Sequence, residues 1–156
     1  MTISANEILN VGVKGLLSII AGFVSKPAFD AAEEGAKKGK PLAQFKLGLM
    51  YYKGRGTARD YTKAVHWWRR AAEQGFTEAL NNLGMSYGNG DGVEQDYVQA
   101  HKWFDLAASR HPPGRKHRKS ARDRDFLARK MTPAQIAEAR RLTGEWTAAF
   151  EKREQK

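Results

Sequence analysis

The side chains able to do chemistry are few. Four histidines, His66, His101, His111 and His117, and no cysteine occur in 156 residues. His66 and His101 lie beside tryptophans in stretches of helical apolar spacing, which places them on helix surfaces or edges. His111 and His117 share a run of cations, where neighbouring positive charge opposes a metal ion. No nucleophile elbow, paired-carboxylate motif or metalloprotease motif is present. We therefore expect no catalytic residue, no metal ligand, no cofactor and no small-molecule substrate. Gly54-Arg55-Gly56 and Asn89-Gly90-Asp91-Gly92 resemble phosphate loops, but they follow helical stretches and recur at a fixed spacing. They read as helix–helix turns.

Charge is the stronger chemical signal. The chain holds 27 Lys and Arg against 17 Asp and Glu, a net charge of +10. The excess gathers between residues 110 and 130, most densely at Arg115, Lys116, Arg118, Lys119 and Arg122, opposed there by Asp123 and Asp125. His111-Pro112-Pro113-Gly114 opens the run, and a basic loop is expected over 112–120. One function for it is an anion site for acidic protein, lipid head groups or nucleic acid. The other is a solvated connection between helices. Nucleic acid is disfavoured, because no aromatic residues interleave with these cations and no nucleic-acid motif is present.

What positions these residues is a repeat of 36. Ala43 recurs as Ala79, Leu47-Gly48 as Leu83-Gly84, Tyr51 as Tyr87, Asp60-Tyr61 as Asp96-Tyr97, Trp67 as Trp103 and Ala71-Ala72 as Ala107-Ala108. A period of this length marks a stacked array. Each unit reads as two helices. In unit one Pro41 suits a first helical position, Gly54 to Gly56 break the helix, Asp60 caps the second helix, and Gly75 ends it. In unit two Thr77 is the candidate cap of the first helix, and Asp96 with Gln99 forms a candidate capping box. The small residues Gly48, Ala64 and Ala71 allow close helix approach, and Trp67 and Trp103 are expected to fill the space between neighbouring pairs. The fold class is all-α, an α-α superhelix of stacked antiparallel pairs.

The pattern A-x-x-x-L-G-x-x-Y-x-x-G-x-G, followed by D-Y-x-x-A-x-x-W and A-A, resembles the Sel1-like repeat (SLR) family, a relative of the tetratricopeptide repeat. Residues 40–75 and 76–111 are the two units. Thr57-Ala58 and His111 depart from the family pattern. A segment from Asp123 to Trp146 looks like the tail that follows SLR units in many bacterial members, and implies a capping helix pair over 121–156. Its opening is explicit: Thr132 caps, Pro133 stands first and Gln135 reaches back. Ala28, Ala36 and Gly39 match Ala64, Ala72 and Gly75 one period later, so residues 26–39 read as a half-repeat helix with a start near Pro27.

Residues 1–25 hold the apolar run Leu16-Leu17-Ser18-Ile19-Ile20-Ala21-Gly22-Phe23-Val24, too short to span a bilayer. Three readings stand: a helix docked on the array, a signal sequence, or an anchor to a partner or membrane surface. Cytoplasmic, membrane-associated and exported locations all remain open with them. A helical array offers a concave surface, so the expected function is a protein-interaction scaffold. By resemblance to tetratricopeptide arrays the first helix of each pair lines that surface. The groove candidates are then Phe45, Leu49, Tyr52, Asn81 and Met85, although Phe45 and Leu49 could equally pack on a neighbouring helix. The alternative is an anion- or membrane-surface binder that uses residues 1–24 and the basic stretch 110–130.

Overall fold

The computed structural model describes the backbone of residues 13–156 and the side chains of residues 25–156. Among the described residues there are seven helices and no strand: α1 (Val13–Lys37), α2 (Pro41–Lys53), α3 (Tyr61–Glu73), α4 (Thr77–Asn89), α5 (Tyr97–Arg110), α6 (Arg115–Ala128) and α7 (Pro133–Glu154). Helices α2 and α3 form one hairpin and α4 and α5 the next; α1 packs on α2, and both α6 and α7 pack on α5. Readings of the N-terminal run that depend on residues 1–12, or on side chains before Ser25, lie outside the described residues.

The hairpins follow from capping chemistry. Gly54 and Gly90 end α2 and α4 at φ 66° and 79°, and their N–H groups donate to Met50 O and Ser86 O. A side chain in that left-handed region is strained, which is why glycine stands at both sites. Asp60 and Asp96 then open α3 and α5, accepting bonds from Lys63 N (2.9 Å) and Gln99 N (3.0 Å). Thr132 and Gln135 form the full reciprocal box at the start of α7. Thr77 is not a cap. It is the first residue of α4, whose N-cap is Phe76 without a side-chain bond.

Inside each hairpin a glycine meets a ring. A Cβ placed on Gly84 falls 2.7 Å from the Phe104 ring, and one on Gly48 falls closer still to the Trp68 indole. Trp68 is 2% exposed, and its Nε1 donates to Phe45 O at 3.3 Å. The aromatic residues that fill the hairpin interior are thus Trp68 and Phe104. Trp103 is also buried, edge-on to Trp146 at 6.3 Å between ring centroids. Trp67, its counterpart, is only half-buried.

Two boundaries differ from expectation. Pro27 lies inside α1 rather than at its start. The backbone bond that proline cannot make is a local loss, and packing beyond it holds the helix: Phe29 is buried and edge-on to Tyr51 at 5.4 Å. The stretch expected as a basic loop over 112–120 is helical from Arg115. Lys119–Asp123 adds an i,i+4 ion pair at 2.7 Å, and Ser120 and Leu127 face the core.

Helix α7 runs back along the array. Ala139 and Ile136 join Ala100, Phe104, Leu127 and Met131 in one apolar cluster. Further on, Trp146 and Phe150 stack at 5.1 Å, and the Arg110 guanidinium lies 4.0 Å from the Phe150 ring centroid.

Candidate functional site

Helices α2, α4 and α6 carry the residues expected to contact a partner. The structure distributes those residues over several depressions instead of one groove. Phe45 on α2 is half-buried beside Phe76, 5.0 Å between ring centroids. With Asn81 on α4 and Ser120 on α6 it lines a depression of about 170 Å³ that reaches across three helices. Ser120 Oγ donates to Asn81 Oδ1 at 3.0 Å, and Asn81 Nδ2 donates to Met85 Sδ at 3.7 Å. The Asn81 amide is therefore already partly used within the protein. At the rim Lys116 pairs with Glu78 at 2.7 Å, and that bond holds the Glu78 carboxyl below its ordinary pKa.

Leu49 opens on a different depression, of about 600 Å³, between α1 and α2. Its floor is apolar, with Ala28, Ala32 and Met50, and its rim carries Lys40, Lys46, Lys53 and Arg55. Met85 opens on a third, of about 300 Å³, between α4 and α6. Tyr52 packs within its own hairpin. Its ring lies 4.9 Å from Tyr61 and 5.5 Å from Trp68, and its hydroxyl donates to Asp91 Oδ2 at 3.4 Å. Burial first, and the Asp91 carboxylate second, push its phenol pKa up.

The basic candidates become an ordered row once α6 is helical. Lys116 and Lys119 turn toward Glu78 and Asp123 and are neutralised there. Arg115, Arg118 and Arg122, followed by Arg129, recur at helical spacing of three, four and seven on an exposed face. None of the four pairs with a carboxylate among the described residues. Asp125, in the same row, is held by Arg124 at 2.8 Å.

Two histidines are more enclosed than their sequence context suggested. His101 is 3% exposed, not on a surface or edge, and its Nδ1 has no hydrogen-bond partner among the described residues. Burial, opposed by the nearby Asp105 carboxylate, lowers its pKa. His111 is buried at the α5–α6 junction, and burial lowers its pKa too, against the pull of Glu78. His117 Nδ1–H donates to Ala108 O at 2.8 Å, and His66 is exposed. Among the described residues no group of three or more His, Asp or Glu could hold a metal ion. No described helix is long and apolar enough to cross a membrane.

Sequence reasoning missed the residue that shapes the third depression. Gly88 stands one period after Tyr52. The repeat itself holds the signal, but its meaning depends on knowing that Tyr52 points into the hairpin.

Stacked antiparallel helix pairs, capped by helices at both ends of the described chain, define an all-α solenoid of the helical-repeat class. The Sel1 repeat model matches residues 41–76 and 77–111. The chain thus contains two Sel1 repeats, and its helical-repeat fold is that of solved SLR-fold proteins. It resembles a solved protective antigen present in uropathogenic Escherichia coli strains and displaying an SLR fold. That match has a TM-score of 0.74 and 35% identity over 80% of this chain and 26% of the other. A Sel1 repeat protein from Oxalobacter formigenes matches with a TM-score of 0.55 and 37% identity over 57% of this chain and 26% of the other. By sequence, 48 residues are 48% identical to the ERAD-associated E3 ubiquitin-protein ligase component HRD3A of Arabidopsis thaliana. This is 30% of the present chain and 7% of the plant protein. HRD3B of the same plant matches at 44% identity over 8% of its length. The chain thus spans about a quarter of the solved relatives and under a tenth of the curated ones.

Proposed function

We propose that this protein is a non-catalytic scaffold that binds a segment of another protein along the face formed by α2, α4 and α6. The observation that carries this reading is the depression shared by Phe45, Asn81 and Ser120, in which three successive first helices present side chains to one place. Such a surface grips an extended or helical segment through several small contacts, with no reacting group required. The similarity to HRD3A, by its name an E3 ubiquitin-protein ligase component, supports an interaction role and does not transfer that role's partners to this chain. Capture on the tagged full chain, followed by mass spectrometry, tests it. A protein retained by the native chain and lost from the Asn81→Arg variant is the expected result. Equal retention by both places the contact elsewhere.

A second reading rests on the row Arg115, Arg118, Arg122 and Arg129, whose uncompensated charge suits an anionic surface. Salt separates the two. Charge-led binding weakens steeply between low and physiological ionic strength, and groove binding much less. Anionic vesicles that bind at low salt and release at high salt favour the second reading. Loss of binding in a chain with Arg118 and Arg122 changed to Gln assigns it to α6.

A further inference from the structure

The two hairpins are internal controls for each other. In the first, three aromatic rings meet: Tyr52 from α2 packs against Tyr61 and Trp68 from α3, at 4.9 and 5.5 Å between centroids. One period on, the partners of this cluster persist as Tyr97 and Phe104, whereas Tyr52 is replaced by Gly88. The space that a ring occupies in the first unit is left open in the second. The depression of about 300 Å³ bordered by Gly84, Gly88, Tyr97 and Phe104 is that space. A Cβ on Gly88 would meet only Ala100 Cβ, at 3.8 Å, so nothing crowds the entrance. The usual reason for glycine is also missing. Gly88 lies within α4 and has no positive φ, so backbone geometry does not demand it. A glycine in a helix interior is a cost without a backbone gain.

We propose that this slot receives an aromatic side chain from a protein partner, which completes in trans the ring cluster that Tyr52 completes in cis. The proposal rests on the scaffold reading and names the anchor that such a partner must carry. The rim suits a peptide. Met85 and Phe126 stay 38% and 55% exposed beside the slot and offer adaptable and aromatic contact. Lys119 is neutralised by Asp123, so Lys130 is the cation left for the ligand. Its ammonium lies 4.6 Å from the Phe126 ring centroid, with no carboxylate partner among the described residues. A carboxylate close to the aromatic residue of the partner complements it. Residues 1–12 of this chain contain no aromatic side chain and cannot supply the ring.

The test is a displayed random-peptide library selected on the full chain, with affinities of selected peptides then measured by calorimetry on three proteins. Selected peptides are expected to share one aromatic position, and alanine there should weaken binding by about tenfold or more. Gly88→Ala leaves the slot open and should keep the affinity. Gly88→Tyr fills the slot with its own ring and should remove binding while melting no lower than Gly88→Ala. In the native chain the bound peptide should shift the Gly88 amide resonance. Peptides that bind Gly88→Tyr as well as the native chain, or leave the Gly88 amide unmoved, overturn the slot and leave the scaffold reading standing. So does a Gly88→Tyr chain that fails to fold, since a vacant ring site must accept a ring. No selectable peptide at all overturns both.

Discussion

Units one and two share a backbone grammar and differ in where their aromatic mass lies. Unit one packs a half-buried Tyr52 against Tyr61 and Trp68, leaves Trp67 half-buried and buries Val65. Unit two has Gly88, a buried Trp103 and a buried His101 at the same three places. The turn and cap residues are shared, and so are small and apolar core residues such as Leu47 and Leu83. What differs is set by what lies outside the unit: the shared tryptophan meets α7 at Trp103, and Gly88, which replaces Tyr52, faces solvent. In an array, neighbours decide which repeat positions count as core.

The largest expected effect tests that statement. Trp103→Ala should cost about 3–5 kcal/mol in chemical denaturation, and Trp67→Ala clearly less, because only Trp103 is enclosed. Equal losses would show that α7 does not cover the second unit. Next, Gly48→Ala should cost about 1–3 kcal/mol, since the added methyl meets both the Trp68 indole and, at 3.1 Å, the Ala64 carbonyl oxygen. Gly84→Ala should cost less, because its three nearest atoms all belong to the Phe104 ring and none to the backbone. Thermal melts of the two variants rank them. Caps come third. Asp60→Ala and Asp96→Ala should each cost about 1 kcal/mol and match one another, being the same bond at the same repeat position.

The smallest effect at neutral pH concerns His101. Its folded pKa lies below the ordinary 6.5 because burial opposes the charged ring. The stability associated with the neutral ring is complete above 6.5 and is lost as pH falls through the folded value. His101→Val, which copies Val65, should flatten the stability curve on the acid side, leaving the contribution of His111. An unchanged acid limb would remove His101 as its cause.

Much of this fold is legible in the sequence because turns and caps act locally. Gly54, Gly90, Asp60, Asp96 and Thr132 each satisfy a backbone group within four residues, and their spacing exposes the repeat. What stays hidden depends on distant partners. Trp67 and Trp68 are adjacent aromatics, and spacing cannot say which of them meets Gly48. Helix α6 buries only Ser120 and Leu127, too few for an apolar stripe, and its charge imitates a loop. The candidate groove residues fall into three depressions because Tyr52 turns inward and Leu49 faces α1, orientations that the resemblance to tetratricopeptide arrays does not specify.

The return of α7 has a mechanical consequence. Phe150 rests on Gly75, and the Arg153 guanidinium donates to Glu73 O, eighty positions earlier in the chain. A solenoid whose modules touch only adjacent modules can fray from either tip. Here the tail is latched onto the joint between α3 and α4, so peeling from the carboxyl side must first undo a clasp that spans the whole second hairpin. Tension applied at that terminus should therefore give one abrupt release and not a series of small steps.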